Sequence, residues 1–162
     1  MLIDLREEPG AADVPSDICI VGAGAAGITL ARRLVQRGLS VCLLESGGLD
    51  YEEATQALYR GANIGMPYYE LDHSRLRFFG GTVAIWGGRC ALMDPIDFVK
   101  RDWVPHSGWP IGRAELDPYY REAHKLFEIG NFNYEHRVWE ELGLADPGFQ
   151  QGQLDAKLWR FD

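Results

Sequence analysis

Gly22-Ala23-Gly24-Ala25-Ala26-Gly27 sets three glycines in a G-x-G-x-x-G pattern. Such a loop can hold a pyrophosphate. One glycine makes a tight turn, the second lets backbone approach the anion, and the third lets helix and strand pack closely. The amides that open the following helix, together with its dipole, then face the negative charge. Alone the pattern is weak evidence, but an acid stands where the same chemistry needs one. Glu45 follows Gly27 by 18 residues, at the expected tip of the next strand, where a carboxylate accepts hydrogen bonds from ribose hydroxyls and repels a 2′-phosphate. NADP is thereby disfavoured; NAD and FAD both stay open on these residues. Ser46-Gly47-Gly48 comes next and is small enough for an adenosine to lie against its backbone, although a plain surface turn is the alternative for Ser46.

The elements that must carry these residues are legible. Ile18-Cys19-Ile20-Val21 is a compact β-branched run ended by glycine, which predicts a fully buried parallel strand. Over residues 25–37 the apolar Ile28, Ala31, Leu34 and Val35 recur at helical spacing, with Arg32, Arg33 and Arg37 on the other side. Gly38 supplies a left-handed stop. Val41-Cys42-Leu43-Leu44 is a second buried-strand run. Strand, helix and strand within about thirty residues make a βαβ unit. Beyond it the rhythm stops. Residues 52–59 suit a short helix closed by Gly61, and residues 103–111 are turn-like. Asp117-Pro118 predicts the start of a helix running to about Ile129, with Asp as cap, Pro at the first helical position and Gly130 past the end.

Gly80-Gly81-Thr82 and Gly87-Gly88 bracket Val83-Ala84-Ile85-Trp86. Two diglycines this close suggest backbone laid against something flat or highly charged, since a core helix would lose stability from so many glycines. Taken in order, the first loop, Glu45-Ser46-Gly47-Gly48, Arg77-Phe78-Phe79-Gly80-Gly81-Thr82, Trp86-Gly87-Gly88 and Ser107-Gly108-Trp109-Pro110-Ile111 resemble the N-terminal region of glucose–methanol–choline (GMC) oxidoreductases. The likeness is nearest to the branch with sugar dehydrogenases and pyranose oxidases, and it covers roughly residues 16–130.

The resemblance implies a Rossmann-like FAD-binding βαβ start of a GMC-type α/β fold, as an incomplete N-terminal fragment. Residues 1–15 would be a lead-in, 16–112 the N-terminal part of the FAD-binding domain, and 113–162 a helical segment leading toward a substrate domain outside this chain. It implies oxidation of a CH–OH group of a sugar or other alcohol, with hydride passing to flavin N5. The cofactor-binding roles fall on Gly22, Gly24, Ala25, Ala26, Gly27, Glu45, Ser46, Arg77, Gly80, Gly81, Thr82, Trp86 and Gly87. Thr82 would donate its hydroxyl to phosphate, and Arg75 or Arg77 would neutralise phosphate charge or else be solvated flanking residues. Two departures matter. Trp86 stands where many family members have Asn, so no side-chain amide contact carries over. Residues 80–90 contain no His, the residue through which some members attach flavin, so the FAD is expected to be non-covalent.

No catalytic residue is assigned to this chain. The family's base is a His near the end of a much longer polypeptide, and here His73, His106, His124 and His136 lack an orienting motif. His124 is expected on an exposed helix face, and His73 and His136 have polar neighbours. Cys19 and Cys42 read as small core residues; Cys90, beside the glycine segment, could line the site, with packing the preferred reading. Phe78, Phe79, Trp103 and Trp109 read as core. No His/Cys spacing suggests a metal site.

Composition sets the outer bounds. Lys+Arg 16 against Asp+Glu 24 gives a net charge of −8, which argues against binding nucleic-acid phosphates or anionic lipid. Three cysteines are too few and of odd number for a disulfide framework, so a reducing, cytoplasmic setting is expected. No apolar run is long enough for a membrane span. The expected partners are a sugar or small alcohol and an electron acceptor whose identity (oxygen, quinone or a haem protein) is not readable. Two other readings stay open: another flavin- or NAD-dependent Rossmann oxidoreductase, and a truncated nucleotide-binding module without catalysis.

Overall fold

The computed structural model describes residues 1–8, 13–135, 137–148 and 157–161. The reading of His136 therefore lies outside the described residues. The chain divides into two compact units, Met1–Trp86 and Gly87–Asp162.

In the first unit, β1 (Ile18–Val21), α1 (Ala25–Gln36) and β2 (Val41–Leu44) form the expected βαβ turn. The two strands pair in parallel, with Ile18 opposite Val41 and Val21 opposite Leu44. Asp17 and Ser40 lock the register from below. The Asp17 carboxylate accepts from the Ser40 amide at 2.8 Å and its hydroxyl at 2.6 Å, and the Asp17 amide donates back to Ser40 Oγ at 2.9 Å. Side chains alternate across a strand, so Ile18 and Ile20 share one face; Ile20 belongs to the buried core, whereas Val21 is 83% exposed. The expectation of fully buried strands is thus corrected to one covered face. Cys19 is exposed and Cys42 half-buried, so neither is a sealed core residue. The cause is architectural: the sheet has two strands, and α1 is the element that packs most extensively on it. Phe79 in the first unit, and Trp103 and Trp109 in the second, are likewise exposed, against the reading of them as core.

The lower part of this unit is α2 (Glu53–Gln56), extended by a 3-10 turn over Ala57–Tyr59. The lead-in reaches it through Arg6, whose guanidinium donates to both Glu52 carboxylate oxygens at 2.9 and 3.0 Å. The glycine-rich stretch becomes a 3-10 helix, Gly81–Ile85, entered through a left-handed Gly80 at φ 96°.

The second unit holds β3 (Arg89–Cys90), a 3-10 turn (Pro95–Phe98), α3 (Arg113–Leu126), α4 (Arg137–Glu141) and β4 (Arg160–Phe161). β3 and β4 pair antiparallel. The main helix opens earlier than Asp117-Pro118 predicts. Its cap is Gly112, whose amide donates to Glu115 Oε1 at 2.7 Å, and Pro118 lies inside the helix. The Arg113–Asp117 pair, 2.9 Å apart at i,i+4, braces the first turns; Asp117 is thus a helix-surface partner and not a cap.

His124 is buried, which corrects the exposed placement. Its Nδ1 lies 3.2 Å from the Gly130 carbonyl and its Nε2 2.9 Å from the Tyr134 hydroxyl. Phe132 and Tyr134 meet its ring edge-on. Burial pushes the Tyr134 phenol above its ordinary range. The helical pattern hid this because His124 sits in the last turn, where the chain folds back over it. His124→Phe keeps the ring but strands a hydroxyl and a carbonyl. It is expected to destabilise the protein by about 2–4 kcal/mol in a denaturant titration; a change below about 0.5 kcal/mol would contradict the buried network.

Candidate functional site

Three segments of the first unit meet at the C-terminal tips of β1 and β2. The loop leaving β1 is held by Gly22, whose amide donates to the Leu44 carbonyl at 2.7 Å. Gly27 returns so close to this turn that an added Cβ would lie 2.0 Å from the Gly22 carbonyl oxygen. Only glycine lets α1 start there. Gly24 caps α1, and the first helical bond runs from the Ile28 amide to the Gly24 carbonyl at 3.0 Å. The amides of Ala25, Ala26 and Gly27 therefore precede the helical ladder. The first turn carries no acidic residue and no capping side chain, and Ala25 and Ala26 are exposed.

Glu45 ties this loop to the next. Its Oε2 accepts from the Ala23 amide at 2.8 Å, and its Oε1 accepts from the Ser46 and Gly47 amides at 2.9 and 3.0 Å. Burial pushes the Glu45 carboxyl up, but the amides of Ala23, Gly47 and Ser46 outweigh it and hold it below the usual carboxylate range. An ionised carboxylate offers about four acceptor positions, so Oε2 keeps one lone pair beyond the Ala23 bond. Gly47 is a second obligatory close approach, since a Cβ there would sit 2.2 Å from the Arg77 carbonyl oxygen.

The third segment is laid across both loops. The Phe79 amide donates to the Gly48 carbonyl at 2.9 Å, and the Gly80 amide to the Ala23 carbonyl at 2.8 Å. Gly24 and Gly80 form a parallel bridge, and a Cβ on Gly81 would stand 3.5 Å from Gly24 Cα. Thr82 Oγ1 accepts from the Leu76 amide at 3.0 Å, which leaves its hydroxyl proton to donate. Arg77 points toward Ser46: its Nη1 donates to Ser46 Oγ at 2.7 Å, and its guanidinium lies 4.3 Å from the centre of the Tyr59 ring. Arg75 stacks on the same ring at 4.9 Å.

Twelve of the thirteen candidate residues thus fall in the first unit. Trp86 closes that unit, and Gly87 opens the second. Two supporting residues carry no warning in the sequence. Gln56 is buried and binds three backbone groups, and Tyr59 underlies two arginines. A glutamine in a short helix usually reads as surface, and partners some twenty residues away leave no periodic trace. His73 and His106 are exposed, and both ring nitrogens of His124 are engaged. Among the described residues there is no cluster of metal ligands, and no helix is long and apolar enough to cross a membrane.

The cradle fits the ADP part of a dinucleotide. The helix start is uncompensated, an added Cβ on Gly24 would meet nothing within 4 Å, Glu45 Oε2 keeps a lone pair, and Thr82 keeps a hydroxyl proton to donate.

Comparison with known proteins agrees. The family described as FAD dependent oxidoreductase matches residues 17–155. Among curated relatives, 6'''-hydroxyparomomycin C oxidase of Streptomyces lividus is 36% identical over 70% of this chain and 23% of its own length. Paromamine 6'-oxidase of Streptomyces fradiae is 34% identical over 64% of this chain and 21% of its own. An uncharacterized GMC-type oxidoreductase of Mycobacterium tuberculosis is 34% identical over 65% and 19%. The chain spans about a fifth of the length of these relatives. No solved structure gives a significant match. The match to the family runs through every segment of the cradle in the first unit, and so this chain belongs to the FAD-dependent oxidoreductases, with FAD as the cofactor and GMC-type enzymes among its relatives.

Proposed function

We propose that this chain supplies the FAD-binding part of an oxidoreductase that oxidises a CH–OH group of a sugar or another alcohol. The observation that carries the reading is the convergence of three glycine-bearing segments around Glu45, through the Ala23, Phe79 and Gly80 hydrogen bonds. When bound, FAD would supply the two-electron acceptor for the hydride that leaves the carbinol carbon. The residues here bind and orient. Gly24, Ala25, Ala26 and Gly27 present amides to the pyrophosphate, Glu45 accepts a ribose hydroxyl, and Thr82 donates to a phosphate oxygen. The names of the two Streptomyces relatives favour an amino sugar or related polyol as donor. The hydroxyl proton needs a base within hydrogen-bond reach; both ring nitrogens of His124 are already engaged, and His73 and His106 are exposed.

The test is expression of the full reading frame, a visible spectrum, and anaerobic reduction with a panel of sugars and alcohols. Flavin absorbance near about 450 nm that bleaches with a sugar or polyol supports the reading; a colourless protein that takes up no FAD overturns it. The attachment is proposed to be non-covalent. Acid precipitation is expected to release the yellow colour to the supernatant, and a pellet that stays yellow would refute this.

A further inference from the structure

The second glycine segment is a 3-10 turn entered through left-handed glycines and tied to the other loops at Phe79 and Gly80. The stretch that leads into it, between Asp72 and Arg77, has no strand partner among the described residues. What fixes that stretch is the Glu53–Tyr59 turn. The buried Gln56 side chain donates from Nε2 to the carbonyls of Asp72 and, at 2.7 Å, Arg75, while its Oε1 accepts from the Arg77 amide at 3.0 Å. One side chain thus stands in for a missing strand. The next residue along is Leu76, whose amide holds Thr82 Oγ1. Three residues past Gln56, the Tyr59 ring seats the Arg77 guanidinium, whose Nη1 reaches Ser46 and through it Glu45. The Arg77 Nε is buried and makes no hydrogen bond, so the stacked ring is what fixes that end of the group.

We infer that the Glu53–Tyr59 turn is the platform that sets the cofactor cradle: Gln56 positions the backbone that carries Thr82, and Tyr59 positions Arg77 against Ser46. Neither residue touches cofactor; both are positioning residues, and the inference rests on the FAD reading above. The chemistry of Gln56 makes the role separable from bulk. A glutamine donates twice and accepts once here. In Gln56→Glu the ionised carboxylate keeps the bond from Arg77 but opposes two carbonyl oxygens, and only its protonated form regains a donor. Burial favours that protonated form.

The experiment measures FAD dissociation constants on apoprotein from the full reading frame, with circular dichroism as the check on folding. Gln56→Glu is expected to weaken FAD about tenfold or more at about pH 8, with the ratio to wild type shrinking toward about pH 5. Circular dichroism unchanged across that range separates this from loss of the fold, which protonation of a buried carboxylate would also relieve. A folded variant with a ratio within about twofold, or with a ratio independent of pH, overturns the role of Gln56. Tyr59→Leu and Arg77→Met, made singly and together, test the other half without emptying the core. If Tyr59 acts through Arg77, the double variant binds FAD no more weakly than Arg77→Met alone; additive losses overturn it. Wild-type protein that binds no FAD sinks both this inference and the proposed function. Wild type that binds, with variants that match it, sinks this inference only.

Discussion

Gly27→Ala is expected to abolish FAD retention and to destabilise the first unit. Its new Cβ would lie 2.0 Å from the Gly22 carbonyl oxygen and 3.2 Å from its carbon. The obstacle is backbone held by the Leu44 hydrogen bond, so it cannot rotate aside as a side chain would. The start of α1 must move off the tip of β1, and the amide cradle moves with it. Overpacking of this kind costs about 1–3 kcal/mol or more, which corresponds to roughly a hundredfold in an equilibrium at the upper end. The informative companion is Gly24→Ala, where the added Cβ meets nothing within 4 Å. That variant should unfold within about 0.5 kcal/mol of wild type yet bind FAD more weakly, because the methyl would occupy the space proposed for the pyrophosphate. Gly24→Ala with unaltered FAD affinity would place the anion elsewhere; Gly27→Ala with wild-type stability would contradict the close approach.

Glu45→Ala is expected to have the second large effect. It removes the acceptor for three amides, and that of Ala23 belongs to a residue with no exposed surface. A buried donor left without a partner costs about 1–3 kcal/mol. FAD affinity should fall by about tenfold or more, measured by titrating apoprotein with FAD. Glu45→Gln separates charge from shape: its carbonyl can still accept from Ser46 and Gly47, but its NH2 then faces the Ala23 amide, donor against donor. It should therefore resemble Glu45→Ala more than wild type. The carboxyl also predicts a pH dependence. Its folded value lies below the ordinary one, so the stability it contributes is complete above the unfolded value of about 4.3 and is lost as pH falls through the lower folded value. Retention of FAD should be flat from neutrality to about pH 5 and fail in more acid solution. A Glu45→Ala protein with wild-type occupancy would remove Glu45 from the site.

The βαβ start was legible because its signals are local. The run Ile18–Val21, the stop at Gly38 and the spacing of Ile28, Ala31 and Leu34 each act within a few residues, and the structure forms β1, α1 and β2 over those stretches. The cofactor followed from a pattern spread over distant segments, which the family match supports. Where the reading failed, the cause was non-local. Asp117-Pro118 has the composition of a helix start, but Gly112 with Glu115 three residues later satisfies the first amide sooner, and the helix continues through the proline. His124 looked like one more polar residue on a helix; the return of Phe132 and Tyr134 over it is what buries it.

From its residue types and spacing alone this chain determined a strand, a glycine turn, a helix and an acid at the next strand's tip, because backbone sterics and hydrophobic periodicity act over short range. Tertiary structure alone decided that Glu45 turns inward to three amides, that Arg77 leans on Tyr59 toward Ser46, and that Gln56 holds residues 72–77 in place of a strand. The reason is that a polar side chain takes whichever partner the fold brings within about 3 Å, and no sequence distance encodes that choice.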